Sequence, residues 1–159
     1  MPAHHPPDVM IRPAAQDDRG FVRQLAPRLL VGYAAWRDAS LMLHTLERFL
    51  LESFEAPPDR GMMFIAERSD GARLGAVSVA HNVNFTGEPQ AYMGELAVVE
   101  EAEGEGIGRL LVARAEEWAR DNGYHLLVLD TGAANSRARG FYARLGYREE
   151  SVRLVKLLS

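Results

Sequence analysis

The sequence predicts an α/β (α+β) domain, and three observations carry that prediction. Short stretches with the alternating or unbroken apolar pattern of strands are interleaved with longer stretches whose apolar residues recur at helical spacing. Met62–Glu67 and Gly75–Ala80 flank the turn signal Ser69-Asp70-Gly71 and read as a hairpin. Gly94–Val99 reads as a strand that runs through Glu103-Gly104-Glu105-Gly106-Ile107-Gly108-Arg109 into a helix.

At 159 residues, 47% hydrophobic and 25% charged, the chain suits one domain with a sizeable core, expected over residues 9–159 behind a tail of residues 1–8. His4 and His5 in that tail are read as surface residues, and no metal site is expected. A formal net charge of −4 argues against nucleic acid as the main partner, because phosphate backbones are gripped by clustered Lys and Arg. The same acidic balance suits a cationic amine. Without cysteine there is no disulfide and no thiolate nucleophile, which fits a reducing cytoplasm. No apolar run approaches the roughly 20 residues of a membrane span, so no membrane partner is expected.

Val9–Pro13 reads as a first strand stopped by proline, followed by two amphipathic helices over Phe21–Tyr33 and Ser40–Phe54. After the hairpin, Ala91–Val99 is the next strand. The helix at Ile107–Arg120 groups Ile107, Leu110, Leu111, Ala115 and Trp118 on one side and closes at Gly123. His125–Asp130 is a nearly unbroken apolar run, the pattern of a central strand covered on both faces. A last helix is capped by Asn135 or Ser136, and Tyr147 with the alternating Val152–Leu158 is expected to finish the sheet.

A helix beginning at Ile107 leaves its first N–H groups without internal acceptors, and three glycines let a phosphate approach them closely. The loop lies too far along the chain for a dinucleotide fingerprint and lacks the Gly-Lys-Ser/Thr of a P-loop. Read together with Asn135-Ser136-Arg137-Ala138-Arg139-Gly140-Phe141-Tyr142-Ala143-Arg144-Leu145-Gly146-Tyr147, the chain resembles the GNAT superfamily of acetyl-CoA-dependent N-acetyltransferases. That family has a glycine loop opening with Arg or Gln, then an Asn-x-x-Ala-x-x-Phe-Tyr-x-x-x-Gly-Phe/Tyr motif, in this order, after two helices and a hairpin.

The resemblance implies a mixed, mostly antiparallel central sheet of six to seven strands flanked by about four helices, with acetyl-CoA as co-substrate. It implies that the backbone of Leu96, Ala97 and Val98 pairs with the pantetheine arm and that Glu103, Gly104, Glu105, Gly106, Ile107, Gly108 and Arg109 surround the pyrophosphate. Glu103 departs from the pattern, standing where the family usually has Arg or Gln. Its carboxylate is expected to turn to solvent or to pair with Arg109 or Arg139, leaving the phosphates to N–H groups of Gly104–Arg109. Tyr142 matches the tyrosine that serves the departing sulfur; the plain reading is a half-buried core side chain. Asn135 matches a pantetheine contact, with a simple helix cap as the rival. Glu95 stands where relatives often place a general base, the alternative being a strand carboxylate paired with an arginine. His81 and Asn82 are the next candidates for that role. For the acceptor, Tyr33, Trp36, Asp38, Glu55 and Phe85 are the residues singled out: aromatics to sandwich a substrate and carboxylates to hold positive charge.

The expected reaction is direct attack of a primary amine, first of all a small molecule, on acetyl-CoA within a ternary complex. A peptide or protein amine is the alternative acceptor, and a non-catalytic CoA-binding module the alternative class. Pairing of Val152–Leu158 between two copies would make a homodimer.

Overall fold

A computed structural model describes residues 8–159; the expected tail lies outside them apart from Asp8. Five strands form one sheet in the order β1 (Val9–Pro13), β2 (Gly61–Arg68), β3 (Arg73–Val83), β4 (Pro89–Val98) and β5 (Leu127–Leu129). The first four are antiparallel to their neighbours, while β5 joins β4 in parallel. The helices are α1 (Arg19–Gln24), α2 (Ala39–Glu55), α3 (Ile107–Asp121) and α4 (Ser136–Arg144).

Two apolar layers hold the sheet. On one face Phe64, Val77, Val79 and Met93 pack against Ile107, Leu111 and Ala115 of α3. On the other, Met63, Ile65, Ala76 and Ala97 meet Val22 of α1 and Leu50 of α2. Each fully buried aliphatic side chain contributes about 1.5–3 kcal/mol of transfer free energy, so both helix layers are held by burial rather than by propensity.

A charged cluster fastens the start of α1 to the sheet. Asp18 is fully buried and accepts from Arg12 Nη1 at 2.7 Å, Arg73 Nε at 2.6 Å and the Ala15 N–H at 2.7 Å. The Arg12 guanidinium is the main reason its carboxyl stays charged, and it holds the pKa far below the ordinary value.

Three expectations are corrected. The helix expected over Phe21–Tyr33 stops at Gln24 and continues as a 3-10 turn, Ala26–Leu30. Pro27 has no N–H and its ring obstructs the preceding turn, so it sits at the start of that new segment. His125–Asp130 yields only the three-residue edge strand β5, half-buried rather than covered on both faces. An apolar run alone cannot say whether a neighbour exists on each side. Val152–Leu158 forms no strand and is exposed, and Tyr147 instead donates its hydroxyl to Glu116 at 3.0 Å. The described sheet therefore has five strands, not six or seven.

Candidate active site

The site begins with an irregularity in β4. Val79 is opposite Met93 and Val77 is opposite Leu96, so Ser78 alone faces two residues, Gly94 and Glu95. Such a bulge breaks the two-residue alternation and sharpens the twist of the strand. Its effect on sidedness is visible in the packing: Met93 and Leu96 both belong to the α3 face, while Glu95 and Ala97 belong to the α2 face. At Gly94 a Cβ would lie 2.9 Å from Ser78 Oγ, so a side chain there would displace that hydroxyl.

Glu95 is held from two sides. Ser53 Oγ on α2 donates to its carboxylate at 2.9 Å; Ser78 Oγ also donates to it and accepts the Glu95 N–H at 2.9 Å. Burial pushes the carboxyl above its ordinary pKa, and the negative charge of Glu52 adds to this, while the two serine hydroxyls act in the opposite direction. The side chain borders a cavity of about 740 Å³ between α2 and the sheet, lined also by Phe49, Glu52, Met62 and Tyr92. The Tyr92 hydroxyl donates to Asp130 at 2.7 Å, and burial with that carboxylate raises its pKa.

Pairing between β4 and β5 ends at Met93 opposite Leu129, one residue before the bulge. Beyond it β4 continues to Val98, and its backbone groups alternate. The Val99 N–H donates to Leu74, which fixes Ala97 as the residue directed at β3 and turns the N–H and C=O of Leu96 and Val98 away from β3. Of the three residues expected to meet the pantetheine arm, Leu96 and Val98 therefore offer backbone groups on the open side.

The glycine loop enters α3 through Gly104 and Gly106, both left-handed, with φ of 79° and 83°. Glu103 and Glu105 donate their own N–H groups to Glu100 and Ala102. The first turn of α3, Ile107, Gly108 and Arg109, is preceded by Gly106 with no side-chain cap. Gly108 faces Phe141 of α4, and a Cβ there would meet its ring at 3.4 Å, an ordinary contact. Both loop carboxylates are engaged by arginines. Glu105 pairs with Arg68 at 2.8 Å, and Glu103 pairs with Arg28 and with Arg137 at 3.2 Å. The partners expected for Glu103 are thus corrected: Arg139 is taken by Glu149, and no ion pair joins Arg109 to Glu103 among the described residues. Arg28 is 75 positions away in sequence and reaches the loop only through the fold.

Tyr142 lies on α4 with its ring edge-on to Phe141 and Tyr147. Burial pushes its pKa up to about 12, so the hydroxyl keeps its proton at neutral pH. Asn135 caps α4 by accepting the Ala138 N–H at 3.0 Å and also donates to the Val31 carbonyl at 3.1 Å. His81 borders the same cavity as Glu95, with its ring packed on Trp118, 5.0 Å between centroids, and bonded to the Tyr124 hydroxyl. Asn82 accepts from Gln90. None of Tyr33, Trp36, Asp38, Glu55 or Phe85 lines the cavity. Asp38 caps α2 through the Leu41 N–H, Glu55 pairs with Arg19, and Tyr33, Trp36 and Phe85 are exposed. Sequence reading missed Ser53, Ser78 and Glu52; their only signal was position, on the helix and strand that flank Glu95.

A profile of the acetyltransferase (GNAT) family matches residues 20–147. The chain belongs to that family. This GNAT acetyltransferase is 29% identical over 143 residues to aminoglycoside N(6′)-acetyltransferase type 1 of Stenotrophomonas maltophilia, covering 84% of this chain and 89% of that one. It is 40% identical over 78 residues to aminoalkylphosphonate N-acetyltransferase of Salmonella typhimurium, a match that spans about half of each (49% and 48%). Among solved structures, a putative acetyl transferase from Pyrococcus furiosus superposes with a TM-score of 0.76 at 22% identity, over 95% of this chain and all of that one. The aminoglycoside N-acetyltransferase AAC(6′)-Iy in complex with CoA superposes with a TM-score of 0.66 at 20% identity, over 95% and 94%. The likeness to these structures extends the expected α+β GNAT fold to nearly the whole chain. No helix among the described residues is long and apolar enough to cross a membrane.

Proposed function

We propose that this enzyme transfers the acetyl group of acetyl-CoA to a primary amine of a small molecule, by direct attack in a ternary complex. The observation that carries the proposal is Glu95: a carboxylate with a raised pKa, fixed by two serines and bordering a cavity of about 740 Å³ next to the open edge of β4. Such a group takes a proton from an ammonium near neutral pH more readily than an ordinary carboxylate.

The chain's residues divide the work as follows. The amides of Gly104 and Gly106–Arg109 hold the phosphates, with the loop carboxylates drawn away by Arg28, Arg137 and Arg68. Leu96 and Val98 orient the pantetheine arm along β4. Glu95 removes a proton from the bound ammonium, directly or through a water, and the amine lone pair then forms the new C–N bond. The Leu96 N–H donates to the carbonyl oxygen as negative charge develops on it. The C–S bond breaks as Tyr142 gives its proton to the leaving sulfur, and the second proton that the nitrogen sheds on becoming an amide passes to solvent, from which the Tyr142 hydroxyl is restored.

Glu52 and Glu95 at the cavity make a cationic acceptor the best fit, and relatives named for aminoglycosides and aminoalkylphosphonates support a small amine. A cytoplasmic setting accords with the cysteine-free sequence. Thiol release from acetyl-CoA, measured over polyamines, amino sugars, aminoalkylphosphonates and peptides, tests the assignment. Turnover on small amines and none on peptides is expected. The reverse pattern overturns the acceptor class, and tight CoA binding without release on any of these acceptors favours the non-catalytic module. A homodimer is a separate proposal, motivated by the exposed apolar residues Val152, Leu154 and Leu157 beyond α4, and light scattering reads it directly.

A further inference from the structure

The carbonyl of Val98 is not vacant. Arg28, on the 3-10 turn after α1, donates its Nε to that oxygen at 3.0 Å, and its Nη2 pairs with Glu103. One guanidinium thereby bridges the open edge of β4 and the first residue of the glycine loop. The chain just beyond it is pressed against the opposite bank: Gly32 lies so close to Asn135 that a Cβ would sit 2.5 Å from the Asn135 Cβ, and Asn135 holds the Val31 carbonyl. The segment that follows Arg28 is thus anchored on α4, and exchange at Val98 needs only a movement of the Arg28 side chain.

We propose that Arg28 is a placeholder for the pantetheine arm, satisfying the Val98 carbonyl and the Glu103 carboxylate in the free enzyme and giving way when acetyl-CoA enters. The inference rests on the reading that the arm lies along Leu96 and Val98. An unpaired carbonyl and carboxylate in a partly buried groove are both costly, and a planar guanidinium with five donors can serve the two together. Glu103 keeps Arg137 when Arg28 leaves, so its charge is not stranded. Every binding event must then break the Arg28 contacts, and they weaken the measured affinity by the same amount that they stabilise the free state.

Calorimetric titration of Arg28→Met with CoA, and with the adenosine bisphosphate fragment of CoA that lacks the arm, tests this. CoA is expected to bind about threefold to tenfold more tightly than to wild type, the scale of a partly exposed charge-assisted contact, with the fragment unchanged. Arg28→Lys, which keeps the charge but not the fork, moves CoA affinity the same way by a smaller factor. Unchanged or weaker CoA binding overturns the placeholder, and so does an equal change for the fragment, because Arg28 would then act on the phosphates. Amide shifts of Leu96 and Val98 in wild-type protein on adding CoA check the location of the arm separately. Shifts there without tightening in Arg28→Met sink the placeholder alone; no shifts sink the reading beneath it.

Discussion

The Ser78 hydroxyl contacts Glu95 twice, accepting its backbone N–H at 2.9 Å and donating to its carboxylate. One side chain thus supports both the bulge and the charge of the group proposed as base. Ser78→Ala removes a hydrogen bond that favours the charged form, so the Glu95 pKa rises further. The expected result is an acid limb of the kcat/KM profile displaced to higher pH, with about threefold to thirtyfold less activity near neutrality. An unmoved limb would show that Ser78 only shapes the strand.

Glu95→Gln has opposite consequences for activity and stability. Acetyl transfer should fall by about 10²–10⁴. In the folded chain burial raises the carboxyl above 4.5, so the folded state binds this proton more tightly than the unfolded one, and stability falls as pH rises through that interval. The variant lacks this loss. Its Tm should exceed that of wild type at about pH 8, with the difference shrinking towards about pH 4; thermal melts across that range measure it.

Tyr142→Phe keeps the ring that packs on Phe141 and Tyr147 and deletes only the hydroxyl. At least about a tenfold loss of turnover is expected, with little change in Tm. The defect should be smallest with thioesters whose thiol is a better leaving group, since these need the proton least. A uniform defect across such thioesters would place Tyr142 in packing or binding instead.

Asp18→Asn tests the fold away from the site. It leaves Arg12 and Arg73 facing a neutral group in a fully buried position, and a loss of about 3 kcal/mol is expected. Because the Asp18 pKa is depressed, its contribution is complete above the ordinary value of 3.8 and disappears as pH falls towards the folded value. Denaturant titrations at neutral pH should therefore separate the two proteins clearly, and acid should bring them together.

Features encoded within a few residues were the most legible in the sequence. Helix α3 was readable from its apolar stripe between the glycine loop and Gly123, and Asn135 from its place three residues before Ala138, whose N–H it accepts. The place of Glu95 on a strand and of the glycine loop just ahead of a helix was legible in the local pattern. What the sequence concealed was tertiary. Which stretch of α2 overlies the strand, and so brings Phe49, Glu52 and Ser53 to the cavity beside Glu95, is not announced by anything local. Likewise, Arg28 and Glu103 meet across 75 positions, and no local pattern announces such a pair. The edge position of β5 depends on strand order, which an apolar run does not encode.

The opening beside β4 has its origin in counting. Opposite the single residue Ser78, β4 supplies two, and its partnership with β5 ends just before them. The extra residue is Gly94, the one with no side chain to contribute. Removing it would restore an even ladder between β3 and β4 across the stretch where the pairing with β5 leaves off. The proposed reaction site thus depends on one residue in the length of a strand, and a deletion at that point is expected to be as damaging as the loss of the proposed base.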